Sequence, residues 1–346
     1  MLLSELLETI PSDTEERVRR TRDRLNQQIR EILRQETGFR LRRAASERGE
    51  QLSVFEEEEQ PQPDTQESVT VRVNLVPGSP FALKGKEIED QHRLAAMIAP
   101  WRVSLESLRD SGGDVEKLAA KLLATNLGMK LVEPGLPHLQ PVIQLAERLL
   151  RETQKFNLAS WILEVDEDVL GAYFYPVPQK PKSYRIIDRR QPSWIELYWG
   201  VIGLLARLLG IDVEDLTIVV LAHELAHAYT HLGTDIDGRA WTSEDFQKTE
   251  HALKEGLAQY YGYAVCQRLQ LNASGAKSAF DRLLPHQPCA YQSHVPWVEK
   301  KKPEELRLAM IQVRRSGSAT LGDFNGRLSA AETSLRQARK TSQNKP

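Results

Sequence analysis

Cysteine is nearly absent: Cys266 and Cys289 are the only two in 346 residues. A chain of this size without a cysteine framework is no disulfide-stapled scaffold, and both are expected as free thiols in a reducing compartment, the cytoplasm. Long hydrophobic runs are missing too. The longest, "IVVLA" at 218–222, is far too short to span a bilayer. The N-terminus "MLLSELLETIPSDTEERVRR" lacks a basic start followed by a long apolar stretch and a small-residue cleavage site, which argues against a secretory signal. Nor does one sign of charge dominate. With 46 Lys and Arg against 48 Asp and Glu, a formal net charge of −2 and no basic stripe, neither nucleic acid nor an anionic membrane is an expected partner.

What is present suffices for a sizeable core: 40% hydrophobic and 27% charged residues, in a length that suits two domains or one with an appendage. The fold class expected is α+β, mostly α, and no internal repeat is visible. From Ser12 to about Arg43 the chain is rich in Arg, Glu and Gln. Val18, Leu25, Ile29, Ile32 and Leu33 give it a thin apolar stripe at helical spacing. This reads as an N-terminal helical arm (1–55) that is mostly solvated. Its apolar heptads are not sustained, which favours a surface helix over a coiled-coil arm for a protein partner. Residues 56–68, "EEEEQPQPDTQES", combine like charges with Pro and Gln and read as a flexible linker.

Region 69–160 opens on a strand, "VTVRVNLV", and continues with helical stretches near Lys86–Asp110, Asp114–Lys130 and Leu139–Phe156. From Trp161 the pattern changes to short segments rich in aromatic and β-branched residues, "WILEV", "VLGAYFYPV", "SYRIID" and "WIELYW", as in a small sheet. A hydrophobic helix near Gly200–Leu209 ends at Gly210. Another is expected from Asp212, with an acidic first turn, to a stop at Gly233. One more runs from a Ser243 cap to about Leu269, and "PEELRLAMIQVRRSG" forms a helix from Pro303 to Gly317. Residues 331–346 read as a polar tail.

Chemistry concentrates in "IVVLAHELAHAYTHLGTD", 218–235. His223 and His227 are four apart, so a helix places both imidazoles on one face, close enough to grip one ion. Glu224 is placed to accept the proton of a water that the metal acidifies. This is His-Glu-x-x-His, the zinc metallopeptidase helix. No other charged residue occurs from Leu216 to Leu232, as a metal helix buried in a core requires.

Two histidines and a water leave a tetrahedral zinc one ligand short. His231 extends the same face, but it lies about 12 Å along the axis from His223 at ~1.5 Å per residue. It is better explained as a C-terminal residue acting on the helix dipole and the last carbonyls. Asp235 and Asp237 in "GTDIDG" lie beyond the far end and form a turn. Glu250 and Glu255 remain, on the following helix. Glu250 sits in a polar stretch, "QKTEH", whereas Gly256 and Ala258 allow close helix approach beside Glu255, the expected third ligand.

With these residues in place, the chain from about Val169 to Phe324 resembles the gluzincin metallopeptidases, the thermolysin-like group whose zinc is held by His-Glu-x-x-His and a glutamate on a later helix. "HELAH" and "EGLAQYY" carry the resemblance. It implies a zincin-like domain over 161–330, with a small mixed sheet before the metal helix, and one catalytic zinc on His223, His227 and Glu255. Glu224 would be the general base, acting on a peptide or protein substrate. Neither the Gly-x-Met-Glu-Asn motif of the large zinc aminopeptidases nor the third histidine of the metzincins is present, so no subfamily follows. The resemblance also implies a substrate-aligning edge strand, for which "VLGAYFY" and "WIELY" are equal candidates with plain core strands. An oxyanion donor from the C-terminal part is implied as well, with Tyr291 and His294 as candidates. His251 and Gln259, one turn either side of Glu255, are candidates to orient the ligands, although family members often carry an acid where Gln259 stands. The alternative is a catalytically silent or partner-regulated protein that keeps this fold as a binding module.

Overall fold

The helix that carries His223 and His227 is buried on every side from Leu216 to His231, and the rest of the computed structural model is arranged around it. The structure describes residues 3–41, 71–77, 86–98, 105–106, 109, 144–151, 157–165, 168–176, 193–270 and 275–343. The expected helix at Asp114–Lys130, the linker 56–68 and the segment "SYRIID" lie outside them.

In chain order the elements are α1 (Leu3–Leu7), α2 (Thr14–Thr37), β1 (Arg72–Val76), α3 (Asp90–Ile98), α4 (Leu158–Val165), β2 (Gly171–Phe174) and β3 (Trp194–Tyr198). Then follow α5 (Trp199–Leu209), α6 (Val213–Leu232), α7 (Ser243–Lys248), α8 (His251–Gln270) and α9 (Ala276–Leu283). Two 3-10 turns (Leu284–His286 and Cys289–His294) lead to α10 (Val295–Lys300), α11 (Pro303–Ser316) and α12 (Leu321–Gln343). The molecule is α+β and mostly α.

One mixed sheet of three strands is present among the described residues, in the order β1-β3-β2. β3 is central, parallel to β1 and antiparallel to β2. Two arginines of α2 reach carbonyls along β1: the Arg22 guanidinium donates to the Val73 carbonyl at 3.2 Å and that of Arg30 to the Val71 carbonyl at 2.7 Å. No described strand pairs with the outer edge of β2.

Several expectations need correction. "WILEV" is not a strand but the body of α4, because Leu158, Ala159, Ile162 and Leu163 are buried at helical, not alternating, spacing. The helix expected from Ser243 to Leu269 is broken into α7 and α8. Thr249 is extended there, and Glu250 leaves helical geometry to give its backbone N–H to the Ala319 carbonyl and its carboxylate to the N–H of Leu321, at the start of α12. α12 itself continues to Gln343, through the stretch read as a tail. The arm is not a separate extension either. Its stripe of Val18, Ile29, Ile32 and Leu33 is buried against the core, α2 packs along α6, and the Tyr229 hydroxyl donates to the Arg30 carbonyl. Burying such side chains is worth about 1.5–3 kcal/mol each, which fixes α2 as part of the core.

Candidate metal centre

α6 turns His223 and His227 to the same side, and α8 crosses it closely enough to bring Glu255 between them. The two helices are in contact at Gly262, where a Cβ would lie 3.6 Å from the His223 backbone nitrogen, an ordinary van der Waals distance. Gly256, which the sequence suggested for this role, faces Trp297 and Ser293 instead.

Three ligand atoms converge. His223 Nε2 lies 3.2 Å and His227 Nε2 3.3 Å from Glu255 Oε2, and the two nitrogens are 3.1 Å apart. Ligands about 2.0–2.1 Å from a tetrahedral zinc are about 3.3–3.4 Å from one another, so the triangle already has nearly the dimensions the ion requires. All three residues are buried. Among the described residues they form the one group of His, Cys, Asp and Glu able to hold a metal ion.

The electrostatics agree with the geometry. Burial lowers the His223 pKa, keeping a lone pair available. Burial alone would raise that of Glu255, but the imidazoles, His227 foremost, outweigh it and hold the carboxyl well below its ordinary range. Glu224 is different. Burial, with Asp168 and Glu255 nearby, pushes its pKa well above the usual carboxylate value. Its side chain lies against β2 at Gly171, where a Cβ would stand 3.0 Å from Glu224 Cγ and 2.9 Å from Val220 Cγ1. Only a residue without a side chain lets strand and helix approach this far.

The strand ambiguity is resolved by topology. Among the described residues "WIELY" is the central strand, and "GAYF" is the edge beside Glu224. Tyr198 donates its N–H to the Leu170 carbonyl, which sets the ladder's alternation, so the main-chain groups of Gly171 and Tyr173 point outward from β2.

Tyr291 is brought to the centre: its ring stacks on that of His223 at 5.4 Å. His294 is committed elsewhere. Its Nδ1–H donates to the Tyr291 carbonyl at 2.8 Å, and its ring packs edge-on against Phe280. Burial lowers its pKa to about 4. The 3-10 turn thus uses His294 to set the backbone that presents Tyr291. His251 Nδ1 lies 3.7 Å from Glu255 Oε1, and the amide of Gln259 reaches Gln287.

His231 does not act as a dipole-capping cation. It is fully buried, its Nδ1 bonds the Tyr173 hydroxyl at 3.0 Å, and its ring stacks on Phe246 at 4.3 Å. Burial pushes its pKa down to about 3, so it is neutral. Asp235 forms the turn as expected, accepting from the N–H groups of Asp237 and Arg239. Sequence reasoning missed Tyr173 and the cavity beside His223 and Glu224, which Leu163, Leu170 and Leu283 help to line. Period-2 alternation around Gly171 was the one available signal for the former.

No family model, no curated protein and no solved structure matches the chain.

Proposed function

We propose that this chain is a zinc-dependent peptidase of the gluzincin kind, with a zincin-like domain that holds one zinc on His223, His227 and Glu255. The observation that carries this reading is the convergence of three electron-rich atoms within 3.3 Å of one another at a buried point, beside a carboxylate that is not a ligand. A merely structural site has no use for Glu224. Zinc bound there supplies polarisation of a scissile carbonyl and a lowered pKa for an attacking water.

The residues of the chain do the rest. Glu224 takes a proton from the water as its oxygen bonds to the carbonyl carbon, and returns it to the amine nitrogen as the C–N bond breaks. Its raised proton affinity suits a group that must accept and release within one cycle. Tyr291, stacked on His223, is the candidate donor to the oxyanion, since His294 spends Nδ1 on the Tyr291 carbonyl. A substrate peptide adds to the outer edge of β2, where the main-chain groups of Gly171 and Tyr173 align it. Among the described residues no helix is long and apolar enough to cross a membrane, and both cysteines are free thiols; a cytoplasmic location accords with both.

Zinc content and hydrolysis of a generic unfolded protein, measured for the wild type and Glu224→Gln, test this. Retained zinc with hydrolysis reduced about 10²–10⁴-fold is expected. Zinc absent from purified wild-type protein, or hydrolysis that survives the substitution, overturns the reading; a zinc-loaded wild type without any hydrolysis points to the silent, partner-regulated alternative.

A further inference from the structure

The cavity beside Glu224 has no occupant in the chemistry above. Val219 and Val220, on the turn of α6 before the metal ligands, form one side of it. Leu163 of α4, Leu170 just ahead of β2 and Leu283 at the end of α9 close it elsewhere, and all three are buried. No Lys or Arg is among the described residues that line it. His223 and Glu224 belong to the same lining, so the cavity borders the place where a peptide bond would be cut. Its volume is about 30 Å³, which at roughly 10–15 Å³ for each water-sized group is room for about two or three heavy atoms. That falls far short of the ~150 Å³ of an apolar cavity that holds a benzene ring.

We propose that this cavity receives the side chain of the substrate residue whose nitrogen is the scissile amine, and that it admits only a small uncharged one: Ala, Cys or Val. Leu163 and Leu283 are the specificity-determining residues. The inference rests on the peptidase reading above and names the substrate class of that site. Glu224 returns a proton to the amine nitrogen and is itself part of the lining, so the side chain carried next to that nitrogen is the one beside the cavity. Leucine and valine walls offer nothing to solvate a charge, which excludes Lys and Arg, and the Glu224 carboxylate adds repulsion against Asp and Glu. Close-packed walls do not yield to an extra methylene without cost, so the small volume is a limit on size and not a loose preference. The two leucines come from α4 and α9, which carry no metal ligand. Substrate choice and metal binding are therefore set by different parts of the fold.

The test offers peptides that differ only at that position, with Ala, Val, Leu, Phe, Lys or Asp, to wild type, Leu283→Ala and Leu163→Ala, and reads kcat/KM for each. In the wild type the Leu and Phe peptides are expected to be cut about 10–200-fold less efficiently than the Ala peptide. The Lys and Asp peptides should fare no better than Phe. In Leu283→Ala or Leu163→Ala, which remove part of a wall, the Leu peptide should be cut at least as well as the Ala peptide. A second readout uses no turnover: the affinity of the zinc-loaded protein for mercaptoacetyl-alanine amide and mercaptoacetyl-phenylalanine amide. The alanine compound is expected to bind the wild type about 10–200-fold more tightly, and Leu283→Ala to erase that margin. If both leucine variants fail to fold by circular dichroism, the wild-type peptide profile and the two thiols decide. A wild type that treats Leu or Phe as well as Ala, or a folded variant whose preference does not move, overturns this inference and leaves the peptidase reading standing. A wild type that cuts no peptide of the set loses both.

Discussion

His223 and His227 on one hand and His231 on the other share a helix, a face and deep burial, yet the two places they occupy do opposite things with an imidazole. At the first, α8 brings Glu255 within 3.3 Å and leaves two lone pairs and a carboxylate oxygen aimed at one point. At the second, Phe246 stacks on the ring and the Tyr173 hydroxyl takes Nδ1, so the same residue type becomes an aromatic packing element. Spacing along a helix selects which histidines could be ligands. The neighbouring elements select which of them meet a carboxylate and which meet an aromatic ring.

The sharpest way to break this contrast is to remove what α8 contributes. Glu255→Ala is expected to weaken zinc binding by more than the roughly 10–100-fold that losing an outer partner of a ligand costs, as read by chelator competition. If the affinity holds, the first place is no different from the second. Gly171→Ala probes the site from the strand side. The added methyl meets Val220 Cγ1 at 2.9 Å and the Glu224 side chain at 3.0 Å, so Glu224 or β2 must move. A displacement of about 1 Å at a reacting group costs on the order of 10²-fold, so turnover should fall by up to that amount while zinc content stays constant. Zinc lost together with turnover would show that strand and ligands are one unit.

The smallest expected effect comes from the second place. His231 has its pKa near 3 in the fold against 6.5 in the unfolded chain. As pH falls from about 6.5 toward 3 the unfolded chain takes up a proton that the folded one refuses, so stability present above that window is lost across it. His231→Phe removes this linkage. In the metal-free protein its acid-unfolding midpoint should move to lower pH, at the expense of about 1 kcal/mol near neutrality from the lost Tyr173 hydrogen bond. His223 and His294 keep their own depressed pKa values, so acid sensitivity is reduced, not abolished. An unmoved midpoint would mean that His231 is as free to take a proton as an exposed histidine.

The contrast also marks what could be read from residues alone. The His223, Glu224 and His227 face was legible because it depends on one helix period. The limits of α6, between Asp212 and Gly233, were legible because ends carry local signals. The choice of Glu255 over Glu250 was readable, though not for the reason given. Glu250 is withdrawn by its bond to Leu321, some 70 residues downstream, and no local pattern announces a contact of that range. The break between α7 and α8, held through Ala319, escaped for the same cause. "WILEV" failed because five apolar-rich residues have no resolvable period until the flanking Leu158 and Ala159 are included. The docking of α2 was hidden by composition: Arg17, Arg22 and Arg30, which looked like solvated charge, reach Glu214, Val73 and Val71.

Arg22 and Arg30 have one more consequence, in how copies of the molecule can join. A fibre built through sheet edges needs two open edges on every subunit, one to receive and one to offer. With the Val71 and Val73 carbonyls along β1 held by guanidinium groups, β2 is the freer edge of the described sheet for edge-to-edge assembly. Two copies meeting β2 to β2 close on each other and growth stops there; a peptide seated on β2 forecloses even that pairing.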